Sequence, residues 1–200
     1  MILVLATENK DKGKEIAAII GNSADIQLQL LSDYPGITLP PEDGTTYYTN
    51  AITKARHVAK ATGHWAIGDD SGLEIDALDG APGLYSARFA GEKASYADNR
   101  NKVLHLLRDV PDEKRSARFI CTIGIISPTG DFEKAVEGRC EGRISGSDLG
   151  NGGFGYDPIF YLSQYGKTFS ECLPEEKNKM SHRGIAIRAA IKIISDKMLK

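Results

Sequence analysis

The sequence is short of cysteine. Its three cysteines, Cys121, Cys140 and Cys172, are odd in number and form no Cys-x-x-Cys pair, which argues against a disulfide framework and against a zinc site. A reducing compartment, the cytoplasm, fits that usage best. No apolar run approaches the ~20 residues that span a bilayer, so no membrane partner is expected. The opening stretch Met1-Ile2-Leu3-Val4-Leu5-Ala6 is too short for a secretion signal and lacks a basic lead. A basic surplus is missing too: the formal net charge is −2, which leaves no electrostatic reason to expect a nucleic acid. Internal repeats and low-complexity segments are absent. What remains is a chain of 200 residues, 41% hydrophobic and 26% charged, most simply a single domain over 1–200 with room for two lobes.

The stretch that organises the rest is Gly68-Asp69-Asp70-Ser71-Gly72, set between the apolar runs Trp65-Ala66-Ile67 and Leu73-Glu74-Ile75. It reads as an oxygen-rich corner at a break between two strands. Neighbours in extended backbone point to opposite faces, so one carboxylate faces a given cleft and the other fixes the turn. Taken alone, the same residues also make an ordinary solvent-facing turn.

Ile2 to Ala6 is apolar on both faces and reads as a buried strand. The polar loop Thr7-Glu8-Asn9-Lys10-Asp11-Lys12 then opens a helix carrying Ile16, Ala17, Ile19 and Ile20, which Gly21-Asn22 stops. Such a loop aims backbone N–H groups outward, and Lys10, Lys12, Thr7 and Asn9 suit a phosphate. It is not a Walker A loop, because Gly-x-x-x-x-Gly-Lys-Ser/Thr is missing. It is equally the solvated start of a helix. Ile26 to Leu31 alternates as a half-buried strand. A long loop, Ser32 to Gly44, carries Glu42 and Asp43. Thr45 or Thr46 caps a helix that runs to about Thr62 and ends at Gly63. That helix buries Ala51, Ala55, Val58 and Ala59, while Lys54 and Arg56 fall on other faces and read as solvated.

Gly80-Ala81-Pro82-Gly83 is a turn. Ser95 caps a helix with Val103, Leu104, Leu106 and Leu107, whose His105 reads as a surface or packed side chain. Ser116 to Ser127 and Phe132 to Gly142 form a long hairpin about Pro128–Asp131, with Cys121 and Cys140 as small core residues. The glycine-rich stretch Gly150-Asn151-Gly152-Gly153-Phe154-Gly155-Tyr156-Asp157-Pro158 permits a close backbone approach, and its aromatic and acidic residues suit a ligand loop better than a linker. Pro174 opens a short helix. Ser181 caps the last one, which packs Ile185, Ile187, Ala190, Ile191 and Ile194 and holds His182 and Arg183 in its first turn. A cation at that end opposes the helix dipole, which hints at a role other than helix stability. Strands and helices interleave, so the fold reads as α/β: a mixed sheet flanked by helices.

Several of these stretches together resemble the inosine triphosphate pyrophosphatases, enzymes that hydrolyse ITP, dITP and XTP to the monophosphate and pyrophosphate. The matching segments are Thr7-Glu8-Asn9-Lys10 with Lys12; Asp69-Asp70-Ser71-Gly72-Leu73; Gly80-Ala81-Pro82-Gly83 with Tyr85-Ser86-Ala87-Arg88; Gly152 to Pro158; Glu176-Lys177; and Ser181-His182-Arg183-Gly184. They stand in the family's order over nearly the whole chain. The resemblance implies a long twisted sheet, two lobes with an active-site cleft between them, a homodimer and Mg2+ as cofactor. It implies that Thr7 to Lys12 hold the triphosphate, that Asp70 is catalytic and a metal ligand, that Glu42 helps with the metal and that Ser71 touches substrate. Phe154, Gly155, Tyr156, Asp157, Lys177, His182 and Arg183 would form the nucleotide and base pocket. Glu8 stands where the family often has a small residue, and its charge must turn away from the phosphates or weaken binding. Thr49 stands where many members have Glu.

Chemically, Mg2+ takes oxygen ligands and bridges one or two carboxylates to substrate phosphates. Asp70 would orient or deprotonate a water that attacks the α-phosphorus, with Lys10 and Lys12 taking the charge of the leaving pyrophosphate. A keto purine offers a 6-keto acceptor and an N1–H donor, and adenine reverses both; Arg183 and the loop amides near Phe154 are the donors that would read this. Three other readings compete: a septum-formation-inhibitor type pyrophosphatase acting on pyrimidine or modified nucleotides, a non-catalytic nucleotide-binding module, and a structural partner whose motifs are mere turns.

Overall fold

A computed structural model describes residues 1–21 and 25–198. Its strands are β1 (Ile2–Ala6), β2 (Gln27–Leu30), β3 (Trp65–Ile75), β4 (Ser116–Ile126), β5 (Glu133–Ile144), β6 (Phe160–Leu162) and β7 (Lys167–Thr168). Its helices are α1 (Lys10–Ile20), α2 (Tyr47–Thr62), α3 (Tyr96–Leu106), α4 (Pro174–Met180) and α5 (His182–Met198). The strands form one sheet in the order β2-β1-β3-β4-β5-β6-β7. β1 runs parallel to both β2 and β3, whereas β5–β6 and β6–β7 are antiparallel. The expected mixed α/β sheet flanked by helices is therefore present. Among the described residues no helix is long and apolar enough to cross a membrane.

The chain divides into two compact units, each assembled from separate stretches. The first comprises Met1–Asp70, Cys121–Gly138 and His182–Lys200; the second comprises Ser71–Ile120 and Arg139–Ser181.

In the first unit the period of two along β1 sorts side chains into two cores. Leu3 and Leu5 join Ile67, Cys121, Ile123 and Ile125 on one face, packed with Ile16 of α1 and with Ala186, Ile187, Ala190 and Ile194 of α5. Val4 and Ala6 join Ala66 and Ile126 on the other face, packed with Ile52, Ala55, Val58 and Ala59 of α2. β1 is buried on both faces for that reason. In the second unit, Leu73, Ile75, Val103, Leu107 and Tyr156 surround a trio of rings. Phe119 lies 4.6 Å from Phe160 and 5.9 Å from Phe169 by ring centroids, and Phe160 lies 5.1 Å from Phe169.

The helix boundaries follow capping chemistry. Asn9 caps α1 by accepting from the N–H groups of Asp11 and Lys12 at 3.0 and 3.1 Å. Gly21 ends α1 at φ +62°, its N–H on the Ala17 carbonyl; Asn22 lies outside the described residues. Thr46 caps α2, Gly63 closes it in the left-handed region, and Ser95 caps α3. Pro174 takes the first position of α4. β4 and β5 are sheet neighbours joined by a turn too short for a crossover, so they are antiparallel.

Four expectations need correction. The Asp69-Asp70 stretch is no break: β3 runs unbroken from Trp65 to Ile75. Gly68 serves close approach instead of a turn, because a Cβ there would collide with the Ala51 carbonyl oxygen of α2. Lys54 is not solvated but 3% exposed. Leu106 and Ile185 point outward, at 46% and 39% exposure, and Ala186 takes the buried place next to Ile187.

Candidate active site

Because β3 is extended, Asp69 and Asp70 emerge on opposite faces, and each meets its own set of groups. Asp69 has no exposure. Its Oδ1 receives Lys12 Nζ, and its Oδ2 receives Arg183 Nε at 3.0 Å and the Cys121 thiol at 3.3 Å. Burial alone would raise the pKa of Asp69, but Lys12 and Arg183 outweigh it and hold the carboxyl well below its usual range. For Lys12 the burial penalty is likewise overcome by Asp69, and its pKa is raised. Arg183 also donates from Nη1 to Glu15 of α1 at 2.6 Å. The cation in the first turn of α5 therefore ties that helix to β3 and α1.

Asp70 looks the other way, toward α2. Asn50 Nδ2 donates to its Oδ2 at 3.0 Å, and Lys54 Nζ lies 3.9 Å from its Oδ1. Lys54 also donates to Glu42 and, at 2.6 Å, to the backbone carbonyl of Asp69. Burial pushes the Asp70 pKa up, and this wins over the opposing pull of Lys54, Lys12 and Asn50. Asn50 is itself held, since its Oδ1 accepts from the Gly44 N–H at 2.9 Å. Lys54 and Asn50 were not legible as site residues, although a signal existed. They stand four apart on α2, and Lys54 follows Ala51 by three, so both flank the buried alanine stripe.

Glu42 and Asp70 are carboxylates directed at one amine. Two oxygen ligands of this kind, completed by substrate phosphates and water, are what Mg2+ accepts. Among the described residues no group of three or more His, Cys, Asp or Glu side chains could hold a metal by itself. The donor set thus fits a metal shared with a polyphosphate better than a closed protein cage. Thr49 offers nothing comparable; its hydroxyl closes the α2 cap against Thr46.

The remaining expected residues of the first unit are more open. Thr7 Oγ1 accepts from the Asn9 N–H at 3.2 Å, while Glu8 and Lys10 are exposed. Asp11 is half-buried, 3.8 Å from Lys14. His182 is 3% exposed at the start of α5, where its backbone carbonyl crowds Gly138.

Ser71, half-buried, opens the second unit, where the other expected residues form their own cluster. Asp157 and Lys177 are 3% and 4% exposed, and Lys177 Nζ lies 2.5 Å from Asp157 Oδ2. The same oxygen accepts from the Phe154 N–H at 2.8 Å. Lys177 Nζ sits 4.9 Å from the Phe154 ring centroid and 5.6 Å from that of Phe169. Tyr156 donates its hydroxyl to the Ser86 carbonyl at 2.8 Å, and burial raises its pKa. Gly153 and Gly155 sit at φ +69° and +59°, which glycine adopts freely, and a Cβ on Gly153 would strike Asp157. The structure thus places Phe154, Gly155, Tyr156, Asp157 and Lys177 together in the second unit, and Lys12, Glu42, Asp70, His182 and Arg183 in the first.

Comparison with known proteins agrees with this architecture. A model of the Ham1 family matches residues 3–193. A dITP/XTP pyrophosphatase of Desulforamulus reducens is 50% identical over 195 residues, 98% of this chain and 96% of its own. One of Salmonella typhi is 47% identical over 188 residues, 93% and 94% of the two chains. Among solved structures, a HAM1 protein from Coxiella burnetii superposes with a TM-score of 0.87 at 38% identity, covering 98% of this chain and 99% of the other. A nucleoside-triphosphatase / dITP/XTP pyrophosphatase from Mycobacterium abscessus does so with 0.74 at 39% identity, covering 94% and 97%. With most of its length matched by the family model and by these relatives, the chain belongs to the Ham1 family.

Proposed function

We propose that this protein is a Mg2+-dependent pyrophosphatase that hydrolyses dITP, XTP and ITP to the nucleoside monophosphate and pyrophosphate. The observation that carries the reading is the meeting of Glu42 and Asp70 on Lys54, on a strand whose other face is locked by Lys12 and Arg183. The relatives' names supply the substrate class.

Glu42 and Asp70 would hold the metal, which, when bound, neutralises triphosphate charge. Asp70 positions a water and accepts its proton. The water oxygen bonds to the α-phosphorus as the bond to the bridging oxygen breaks, and pyrophosphate carries away that electron pair. Thr7, Glu8, Asn9, Lys10, Asp11 and Lys12 supply the triphosphate loop, in which exposed Lys10 is open to the leaving group and Lys12 acts while paired to Asp69. Ser71, Phe154, Gly155, Tyr156, Asp157, Lys177, His182 and Arg183 take the nucleoside. The cytoplasm, supported by the free cysteines, and a homodimer complete the reading.

The test is pyrophosphate release across dITP, XTP, ITP, dATP, dTTP and UTP, with and without Mg2+. Release confined to keto purines with Mg2+ present is expected, and Asp70→Asn should lower kcat by about 10²–10⁴-fold in a folded protein. A preference for dTTP or UTP, or a folded Asp70→Asn variant near the parent rate, removes the assignment.

A further inference from the structure

The glycine loop between β5 and β6 is held inside the second unit by Ser170, which bonds Gly152, and over Phe154 to Asp157 by three further groups. Lys177 holds it through Asp157, and Ser86 holds it through the Tyr156 hydroxyl. The third hold comes from α3 and has no part in the proposed function. Arg100 donates from Nη1 to the Gly155 carbonyl at 2.9 Å. Its Nε donates to both oxygens of Asp148 at 3.1 and 2.9 Å, and its Nη2 lies 2.7 Å from Asp148 Oδ2. One guanidinium thus ties the chain just before Gly150 to the chain just after Phe154. A planar fork can serve both partners on separate edges, which a lysine amine cannot do equally.

Tyr96, four residues earlier, is on the same face of α3. Its ring lies 5.9 Å from that of Phe154, tilted by 45°. The two α3 side chains therefore hold both the ring of Phe154 and the peptide that joins Gly155 to Tyr156. In a trans peptide the carbonyl and the N–H point in opposite directions. Pinning the Gly155 carbonyl on Arg100 consequently sets the Tyr156 N–H to point away from α3. The space beside Gly155 is open: a Cβ built there meets nothing within 4 Å.

We propose that Arg100, clamped by Asp148, is a positioning residue for purine selection. It rests on the pyrophosphatase function already proposed. The clamp fixes the direction in which the loop presents its amides, and so its ability to tell a 6-keto acceptor from a 6-amino donor. Discrimination of this kind depends on a polar group left unpaired against the wrong base, and a loop free to turn its peptides relaxes that penalty.

The experiment is steady-state pyrophosphate release from dITP, XTP and dATP by the full chain and by Arg100→Leu, Arg100→Lys and Asp148→Asn. Arg108→Leu, on an exposed arginine paired with Asp109, is the control. Arg100→Leu should raise KM for dITP and XTP about tenfold, leave kcat within about twofold, and lower the keto-to-amino ratio of kcat/KM. Arg100→Lys, keeping one contact at a time, and Asp148→Asn should fall between this variant and the parent, and Arg108→Leu should match the parent. A folded Arg100→Leu with the parent's KM and base ratio, or one that loses kcat alone, overturns the proposal. If that variant does not fold, Arg100→Lys and Asp148→Asn decide it, and parental values in both overturn it. A parent chain that releases no pyrophosphate from dITP or XTP refutes the function itself, whereas an active parent with indifferent Arg100 variants refutes only the clamp.

Discussion

Asp69 offers the clearest pH argument in the molecule. A carboxyl whose folded pKa is depressed contributes stability above its ordinary value of 3.8 and loses it as pH falls through the folded value. Asp69→Asn removes the carboxylate that Lys12 and Arg183 share and leaves Arg183 with Glu15 alone, which should cost about 3–5 kcal/mol at neutral pH. Below about pH 4 the parent begins to lose the same contribution, so the gap between parent and variant should narrow. Denaturant unfolding at neutral pH and near pH 3 measures both gaps, and equal gaps would contradict the assignment. On the opposite face, Lys54→Met keeps the buried aliphatic stem and removes the charge between Glu42 and Asp70. It should lower kcat by about 10²-fold while the thermal midpoint moves by only a few degrees; an unchanged kcat for pyrophosphate release would strip Lys54 of its role. Neither partnership was legible from local sequence. Lys12 and Arg183 stand 57 and 114 residues from Asp69, and two acids flanked by glycine look like a turn until those cations are brought to them. The opposite facing of the two acids was legible, because it follows from strand geometry alone.

Local rules governed the elements well. Asn9, Thr46, Ser95, Gly21, Gly63 and Pro174 stand where capping chemistry needs them, and β1 was readable as doubly buried from its unbroken apolar run. β3 was misread because glycine has two uses, and only tertiary packing distinguishes a turn from a close approach. Gly68 on β3 and Gly124 on β4 lie against the same stretch of α2. A Cβ on Gly124 would come within 2.8 Å of the Ala51 carbonyl group and the Ile52 nitrogen, which are backbone atoms that cannot swing aside. Gly68→Ala should therefore push α2 off the sheet, costing about 1–3 kcal/mol or more. It should also shift Asn50 and Lys54 relative to Asp70, so activity falls together with stability. Gly13→Ala in α1, whose new Cβ would meet only the flexible end of Leu30 at 3.8 Å, should be tolerated. Thermal melts and pyrophosphate release on the two variants separate these outcomes; a stable, active Gly68→Ala would show that α2 does not need that approach.

At the scale of the whole molecule, the chain leaves the first unit after Asp70, returns at Cys121, leaves again after Gly138 and returns at His182. No contiguous piece of sequence contains either unit, so no shift in composition along the chain could mark their bounds. The final return is the one most open to test. α5 contributes Ala186, Ile187, Ala190 and Ile194, all without exposure, to the core beside Leu3, Leu5 and Ile123. Burial of Ile187 and Ile194 alone is worth about 3–6 kcal/mol, against a total domain stability of about 5–15 kcal/mol. Removing α5 would also take Arg183 from Asp69 and Glu15, leaving a buried carboxylate with half its compensation. A chain ending at Ser181 should therefore show no cooperative thermal transition and should expose the apolar face of β1, β3 and β4 to a hydrophobic dye. The exposed-face substitution Ile185→Ser, at the start of the same helix, should leave the melt within a few degrees of the parent, because that side chain is already outside the core. A cooperative melt of the shortened chain near the parental midpoint would mean that the first unit closes its core without α5, and that the Arg183 ion pairs serve the site but not the fold.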